Sequence, residues 1–436
     1  MISKFLRILS LTCLSGLLCL LAPFVLANAD NENTEETYDK LRLFAEVFST
    51  VSNLYVEEIE DDDLMTNALN GALEALDPHS HYIPRTEFVE RQKTARREYG
   101  GLGIEVTMEA GLVKINYVIP DGPADKAGIV RGDFITEVEG EKVLGKTLSE
   151  AVEGMRGLEG DPIIVSVLSE GQVPRDVTII REIVQGRVVR HREENGIGYI
   201  FIESFNHPRL SKDVEFAIED LKATLGSQLP GLVIDVRGNP GGLVDQTVEV
   251  ASHFLDGGEV FSARGRTIDN TQRYNADPGE LVSDVPIVVL INSRSASAAE
   301  ILAGAIQDRG RGIVMGRRSF GKGSVQSVMS LDGNGGALRL TTQRYYTPSG
   351  KSIQSRGIMP DLLVAFRPDT GETRERFRED SFHNALSNPD ETDFEEDLSQ
   401  LDYPPEGWSD NQDYQIDRAV NLLKSPRYNN LLASQN

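Results

Sequence analysis

Three serines stand at alternate positions in the stretch SRSASAAEILAGAIQD, residues 293–308, and are the first candidates for chemistry. The apolar run VPIVVLIN before them predicts a buried strand and AAEILAGAIQ after them a helix, so the serines lie at a strand-to-helix turn. Main-chain N–H groups at the start of a helix point outward and can stabilise an oxyanion. Ser297 and Glu300 also fit the S-x-x-E capping box, and this local pattern alone favours a serine that only caps the helix.

A serine nucleophile needs a base, and the six histidines do not supply one. His79 and His81 form the one close pair, which a proline-rich loop can hold without a ligand, so we expect no metal site. The segment SFGKGSVQSV offers a lysine instead. If its end forms a strand, Lys322, Ser324 and Gln326 point to the same face.

Lys322 can act as a base only if burial or a cationic neighbour lowers its pKa enough to populate the neutral amine. Gly321 and Gly323 would let main chain crowd around it, and Gln326 could orient the amine without adding a charge. The alternative is an exposed lysine in a flexible turn, which the local sequence favours.

The third candidate piece is the loop DVRGNPGGLV, residues 235–244, which follows a predicted buried strand. Gly241 and Gly242 can adopt main-chain angles that turn N–H groups toward a bound oxygen. Asn-Pro-Gly-Gly is also a sequence that favours a turn by itself, so a purely structural turn stays an equal alternative.

Composition and the N-terminus limit the function class. The net charge of −24 repels nucleic acid and anionic lipid surfaces, so we expect no nucleic-acid partner. Residues 1–29 combine Lys4 and Arg7, an apolar run and a small-residue end, which is typical of a signal peptide; an uncleaved membrane anchor is the alternative. Both cysteines lie in this segment, so cleavage after Ala29 leaves no disulfide and no thiol nucleophile.

The pattern of apolar and polar residues changes several times after this segment. The chain shows first helical spacing, then short alternating strands, then near-continuous apolar strands between helices, and finally an acidic stretch. This order predicts an α/β protein with a β-rich insertion. The acidic end is expected to be peripheral, apart from a helix in DYQIDRAVNLLK with Ile416, Val420 and Leu423 on one face. The predicted regions are 30–97 (helical), 98–182 (β-rich), 183–367 (α/β core) and 368–436 (acidic, with a terminal helix).

Four motifs in this order, DVRGNPGG, SRSASAAEILAGAIQDRGRGIVMG, SFGKGSVQ and RYYTPSGKSIQSRGIMPD, resemble the carboxyl-terminal processing proteases, also called tail-specific proteases. The module from YGGLGIEV to RGDFITEVEG resembles the PDZ domain that this family carries. The resemblance implies a ClpP/crotonase-like serine protease core with an inserted PDZ domain and an N-terminal helical region. It also implies an exported serine endopeptidase that cleaves proteins near or from their C-terminal tails.

The resemblance assigns roles to individual residues. Ser297 matches the family's nucleophile, Lys322 its general base, and Gln326 the residue that orients the lysine. The oxyanion donors would be the amide of Ala298 and that of Gly241 or Gly242, between which the sequence does not choose. The expected contacts to the substrate tail come from the PDZ residues Gly101, Leu102, Gly103 and Ile104. Position 299 departs from many relatives, with alanine in place of serine, but carries no assigned role.

The same resemblance implies partners and a compartment. We expect protein substrates held by their C-terminal tails, an adaptor or activator protein, a homo-oligomer, no cofactor, and a PDZ domain that gates activity. The expected location is the periplasm, with attachment to the inner membrane if residues 1–29 are retained. The weighed alternatives are a noncatalytic PDZ scaffold or chaperone and an acyl-CoA-type enzyme; the presence of Ser297 and Lys322 disfavours the first, and the export signal the second.

Overall fold

The computed structural model describes residues 35–96, 100–119, 121–169, 171–183, 187–332, 335–366, 377–390, 397–409 and 411–434. The predicted signal peptide, residues 1–29, lies outside these ranges. Within them, no helix has both the length and the apolar character that a membrane crossing requires. The chain divides into two compact units, residues 1–73 and 74–436.

The described part of the first unit, residues 35–73, is helical, as its spacing predicted. Helix α1 covers residues 35–54, and α2 (Asp61–Glu74) continues to the unit's end. Leu41, Phe44 and Val47, which form the apolar stripe of α1, are 57%, 44% and 53% exposed. An apolar stripe that stays exposed is typical of an interaction surface.

The second unit opens with a short strand, a helix and a β-rich domain. The strands of this domain form a six-stranded antiparallel sheet, in the order β3-β4-β5-β7-β8 with β6 beside β5, and a two-stranded ladder of β2 and β9. Val113 and Ile115 alternate with more exposed neighbours and are fully buried, which explains the period-two pattern. The elements are β1 (His81–Ile83), α3 (Arg85–Arg96), β2 (Gly100–Gly101), β3 (Ile104–Glu109), β4 (Leu112–Val118), α4 (Pro123–Lys126), β5 (Phe134–Val138), β6 (Glu141–Lys142), α5 (Leu148–Met155), β7 (Pro162–Leu168), β8 (Arg175–Ile180) and β9 (Glu182–Ile183).

A larger α/β core follows, built on two sheets. The first has the order β10-β11-β12-β15-β16-β19 and is parallel except for the edge strand β10; the second has the order β1-β18-β13-β14, with β17 beside β18. The elements are β10 (Val189–Glu194), β11 (Ile197–Ile202), α6 (Leu210–Leu225), β12 (Leu232–Asp235), α7 (Val244–Ser252), β13 (Glu259–Gly265), β14 (Thr271–Asn275), β15 (Ile287–Ile291), α8 (Ala298–Asp308), β16 (Ile313–Gly316), β17 (Ser324–Ser330), β18 (Ala337–Tyr346), β19 (Leu362–Leu363), α9 (Tyr414–Leu423) and α10 (Arg427–Ala433), with 3-10 turns at Ile268–Asn270, Glu379–Ser381 and Leu398–Gln400.

Both faces of the parallel sheet are covered, which explains why its strands are continuous apolar runs. Ile234 and Val289 pack with α6, α7 and α8 on one face, whereas Val233 and Val288 pack with α9 and α10 on the other. The predicted stripe of the terminal helix is buried in this second layer. The expectation that the acidic region is peripheral fails at Glu379, whose side chain is fully buried.

Candidate active site

Ser297 immediately precedes α8 and has φ 55° and ψ −114°, a conformation that a residue with a side chain seldom adopts. Its amide donates to Glu300 Oε2 at 2.8 Å, and the Glu300 amide donates to the Ser297 carbonyl oxygen at 2.9 Å. The Glu300 carboxylate and the main chain therefore both contribute to holding the start of the helix. Such main-chain strain is concentrated at functional sites.

The two preceding serines have different surroundings. Ser295 is fully buried, where its hydroxyl donates to the Val236 carbonyl at 2.7 Å and accepts the Asn292 amide at 3.0 Å. Ser293 is a half-buried turn residue. The Ser295 hydroxyl thus links two loops by hydrogen bonds. Ser297 remains the candidate nucleophile.

The N-P-G-G turn lies against Ser297. A Cβ atom added to Gly241 would lie 2.8 Å from the Cβ of Ser297, and one added to Gly242 would lie 2.1 Å from the Asn206 nitrogen. The φ angles of these glycines are 97° and 153°. Neither position can therefore carry a side chain without a main-chain shift.

The hydrogen bonds of this turn distinguish the two glycines. The Gly241 amide already donates to Asn239 Oδ1 at 2.8 Å. The amides of Gly242 and Ala298, by contrast, donate to no other group within the described ranges. A Cβ added to Gly241 would lie 3.0 Å from the Ala298 nitrogen, so the turn and the start of α8 meet here. The amides of Gly242 and Ala298, rather than that of Gly241, are therefore the ones left to bind another oxygen.

Lys322 lies in a tightly packed loop just before β17. Its amide donates to Glu300 Oε2 at 2.9 Å, the same oxygen that accepts the Ser297 amide. A Cβ added to Gly323 would lie 2.2 Å from the Gln354 nitrogen, so the glycines do let neighbouring main chain approach. Burial and, second, the like charge of Arg339 lower the pKa of Lys322, while the carboxylates of Glu379 and Glu300 oppose the change.

Gln326 is held so that one end of its amide stays available. Its Nε2 donates to Ser324 Oγ at 3.0 Å and to Thr341 Oγ1 at 3.2 Å, and Thr341 Oγ1 donates to Asp77 Oδ1 at 3.0 Å. Because the NH₂ end is used in this way, the Oε1 end is the one left to accept a hydrogen bond from Lys322. The sequence pattern had placed Gln326 at the site but not Asp77 and Thr341, which come from distant segments.

Glu300 has a fully buried side chain. Oε1 accepts from Ser319 Oγ at 2.5 Å and from the Gly321 amide at 2.6 Å, while Oε2 accepts the amides of Ser297 and Lys322. Burial raises the pKa of Glu300 to about 7, and the four donated hydrogen bonds limit the rise. One carboxylate thus joins the main chain of Ser297 to that of Lys322.

A second charged group fixes the start of the oxyanion turn. Arg237 donates to both oxygens of Asp235, to both oxygens of Asp413 and to Gln415 Oε1. Tyr199 donates to Asp235 at 2.7 Å. Since Asp413 precedes α9, the C-terminal helix contributes to holding the segment that leads into the N-P-G-G turn.

The predicted tail-binding residues run from the end of β2 to the start of β3 in the β-rich domain. Leu102 is buried, and Gly103 has φ 73°. The carbonyls of Leu102 and Gly103 accept the amides of Ala124 and Ile119 at 2.9 and 2.8 Å. In the part of this domain that the structure describes, the amides of the same two residues donate to no other residue, so they are available to a ligand.

Three family models match this chain, in its N-terminal, β-rich and core regions. Peptidase family S41 matches residues 196–364, the PDZ domain residues 114–168, and the activating protease CtpB N-terminal domain residues 25–86. The chain is 44% identical over 366 residues to the carboxy-terminal-processing protease of Bartonella bacilliformis, covering 84% of this chain and 83% of the relative. This chain belongs to the carboxy-terminal processing protease family. It is therefore a serine peptidase, and the predicted mixed α/β protease core with a PDZ domain and N-terminal helices is confirmed.

Two further relatives are more distant. The carboxy-terminal processing protease CtpB of Bacillus subtilis is 31% identical over 357 residues, covering 79% of this chain and 70% of the relative. Among solved structures, the photosystem II D1 C-terminal processing protease is 27% identical with a TM-score of 0.44, covering 73% of this chain and 91% of that chain.

Proposed function

We propose that this protein is an exported serine endopeptidase that cleaves proteins near or from their C-terminal tails through a Ser297–Lys322 dyad. One observation carries the proposal: Glu300 Oε2 accepts the amides of both residues, which brings the nucleophile loop and the base loop together. The lowered pKa of Lys322 supports its role as a base, because a neutral amine can accept the serine proton.

The arrangement supports the following sequence of steps. Neutral Lys322 takes the proton of Ser297 Oγ as this oxygen attacks the scissile carbonyl carbon. The amides of Gly242 and Ala298 stabilise the negative oxygen of the tetrahedral intermediate. Protonated Lys322 then gives its proton to the leaving amine, and an acyl-enzyme on Ser297 remains. Lys322 next activates a water molecule that hydrolyses the ester.

Two variants with matched controls test the dyad. Ser297→Ala and Lys322→Ala should each abolish cleavage of fluorescently labelled casein, a protein with little folded structure. Ser293→Ala, in the same serine stretch, and Lys351→Ala, an exposed lysine, should retain wild-type rates. Full activity in Ser297→Ala or Lys322→Ala, with circular dichroism showing an intact fold in each variant, would exclude the dyad.

The PDZ domain is proposed to bind the substrate tail and to gate the site. The amides of Leu102 and Gly103 suit a terminal carboxylate, with Gly101 and Ile104 beside them offering main chain to an added strand. The domain also contacts the core: Tyr117 of β4 packs edge-on against Phe216 of α6, with ring centroids 6.1 Å apart. This contact supplies a route by which tail binding could change the core.

Substrate tails provide the test of recognition. A peptide with a free C-terminal carboxylate should have a lower KM than the same peptide with a C-terminal amide. Deletion of residues 99–182 should remove this difference and change kcat greatly. Equal KM values for both peptides in the wild-type protein would refute tail recognition, and unchanged kinetics after the deletion would refute gating.

The exposed stripe of α1 supports a homo-oligomer formed through the N-terminal helices. Leu41→Glu together with Phe44→Glu should lower the molecular mass in sedimentation, whereas an unchanged mass would argue against this surface. The adaptor or activator is likewise proposed, and is sought by crosslinking an inactive Ser297→Ala chain in cells. Fractionation and N-terminal sequencing of the mature protein test the periplasmic location and cleavage after Ala29.

A further inference from the structure

A segment of the acidic C-terminal region lies against the loop that carries Lys322. Residues 377–390, here called the strap, lie beside the loop that carries Lys322. Phe382 of the strap packs edge-on against Phe320, with ring centroids 6.3 Å apart, and against the His79 ring at 6.0 Å. The Glu379 amide donates to the Phe320 carbonyl at 3.2 Å. The strap is therefore attached to the lysine loop by both main chain and aromatic rings.

The side chain of Glu379 reaches the same loop from its other end. Oε1 of Glu379 accepts from Gln354 Nε2 at 3.1 Å, and Oε1 of Gln354 accepts the Gly323 amide at 3.1 Å. Both side chains are fully buried. Phe320 and Gly323 enclose Lys322 in sequence, so Glu379 is linked to the loop on both sides of the base.

His79 completes the cluster. Its Nε2 lies 2.9 Å and 3.0 Å from the two oxygens of Glu379, and its own amide donates to Asp77 Oδ1 at 2.9 Å. Asp77 is also the residue that accepts from Thr341, the partner of Gln326. The histidine pair that the sequence left as a plain loop thus connects the strap to the residues that hold Gln326.

We propose that Glu379 is a positioning residue for Lys322, which fixes the lysine loop and, with Arg339, sets the charge around its amine. The proposal rests on the dyad proposed above. Among the described residues, three charged groups change the pKa of this amine: Arg339 from β18 lowers it, and Glu379 from the strap and Glu300 from α8 raise it. His79, when protonated, offsets the charge of Glu379. The two carboxylates stabilise the protonated amine and Arg339 the neutral one, so the balance decides how much base is present.

Competitive acetylation with acetic anhydride measures this balance without using activity. The reaction of Lys322 is followed by mass spectrometry from pH 6 to 11 in a Ser297→Ala background, with exposed Lys351 as the internal standard. Glu379→Gln should move the labelling midpoint of Lys322 down by about 0.5–1 pH unit, because it removes a negative charge and keeps the hydrogen-bonding shape. Arg339→Gln should move it up by a similar amount.

A matched control and a rate measurement complete the test. Asp380→Asn removes an acid next to Glu379 that pairs with Arg318 and is 45% exposed, and should leave the midpoint in place. Glu379→Ala, in the chain that retains Ser297, should lower kcat on labelled casein at least tenfold, whereas Glu379→Gln should lower it less.

The outcomes separate this inference from the dyad itself. Midpoints that stay fixed, or that move in one direction for both Glu379→Gln and Arg339→Gln, would overturn the role of Glu379. An unchanged kcat in Glu379→Ala would overturn it as well. Activity that survives Lys322→Ala would instead contradict the dyad, whatever the labelling shows.

Discussion

Replacing Glu300 by glutamine separates the charge of this carboxylate from its shape. Its pKa of about 7 in the folded protein lies above the ordinary 4.5, so the folded state favours the protonated acid. The stability that follows from this preference is fully present below pH 4.5 and is lost as the pH rises through about 7. Because one pKa unit corresponds to about 1.4 kcal/mol, burying the ionised acid costs about 3 kcal/mol above pH 7.

Glutamine removes this cost but cannot serve all four donors. Each carboxylate oxygen accepts two hydrogen bonds, one oxygen from Ser319 and Gly321 and the other from Ser297 and Lys322. An amide offers an oxygen at one end only, so two buried donors then face an NH₂ group. Each unsatisfied donor costs about 1–3 kcal/mol at every pH.

Urea unfolding in a Ser297→Ala background measures the consequence without self-cleavage. Trp408 is the single tryptophan and packs on Tyr414 with ring centroids 5.0 Å apart, so its fluorescence reports the core. The unfolding free energy of the Glu300 protein minus that of Glu300→Gln should rise by about 3 kcal/mol as the pH falls from 8 to 4.5. In the chain with Ser297, Glu300→Gln should lose about 100-fold in kcat at pH 8, because the two loops lose their common acceptor.

The control is Glu203→Gln, which removes an exposed acid paired with Arg190. It should leave both the pH dependence and kcat as they are. A stability difference that is independent of pH between 4.5 and 8 would refute the assignment of a raised pKa to Glu300. Wild-type kcat in Glu300→Gln would refute its role in aligning the site.

Three other changes have definite expected outcomes. Gly242→Ala places a Cβ 2.1 Å from a main-chain nitrogen and should lower the free energy of unfolding by about 1–3 kcal/mol and kcat by at least about 100-fold; retained kcat would exclude the Gly242 amide as a donor. Asp413→Ala leaves half-buried Arg237 with only the Asp235 carboxylate and should destabilise by about 1–3 kcal/mol in urea unfolding, with a lower kcat; unchanged kcat would show that the C-terminal helix does not affect the N-P-G-G turn. Tyr117→Ala removes an aromatic contact worth about 0.5–1.5 kcal/mol to Phe216 and should reduce the kcat/KM advantage of free-tail over amidated peptides; an unchanged ratio would argue against this gating contact.

Local periodicity was enough to predict the layers of the fold. The strands LVID and IVVLI are fully buried because helices cover both faces of their sheet, and such burial leaves a continuous apolar run in the sequence. The burial of the strap could not be predicted from periodicity, because its composition is polar and acidic. A buried acid such as Glu379 leaves no periodic signal, since its burial depends on partners as distant as His79 and Gln354.

The site shows the same division between local and distant information. Ser297, Lys322 and the glycine turn lie in short motifs, so their types and spacing were visible in the sequence. The choice between Gly241 and Gly242 was not, because it depends on Asn239, whose side chain takes up the amide of the first glycine. Asp77 and Thr341 were invisible for a similar reason, since their connection to Gln326 exists only after β18 has paired with β17.

The S-x-x-E pattern at Ser297 first favoured a helix cap over a nucleophile, and the structure shows why the two interpretations are compatible. A capping box satisfies the orphan amides at a helix start through two side chains, the serine and the glutamate. Here Glu300 accepts the Ser297 amide and the Ser297 carbonyl accepts the Glu300 amide, so the helix start does not depend on the hydroxyl alone. The same carboxylate accepts the Lys322 amide, which means that the group that helps to cap the helix also joins the Ser297 and Lys322 loops. The capping signal is therefore compatible with a chemical role for Ser297, because the glutamate shares the capping of the helix.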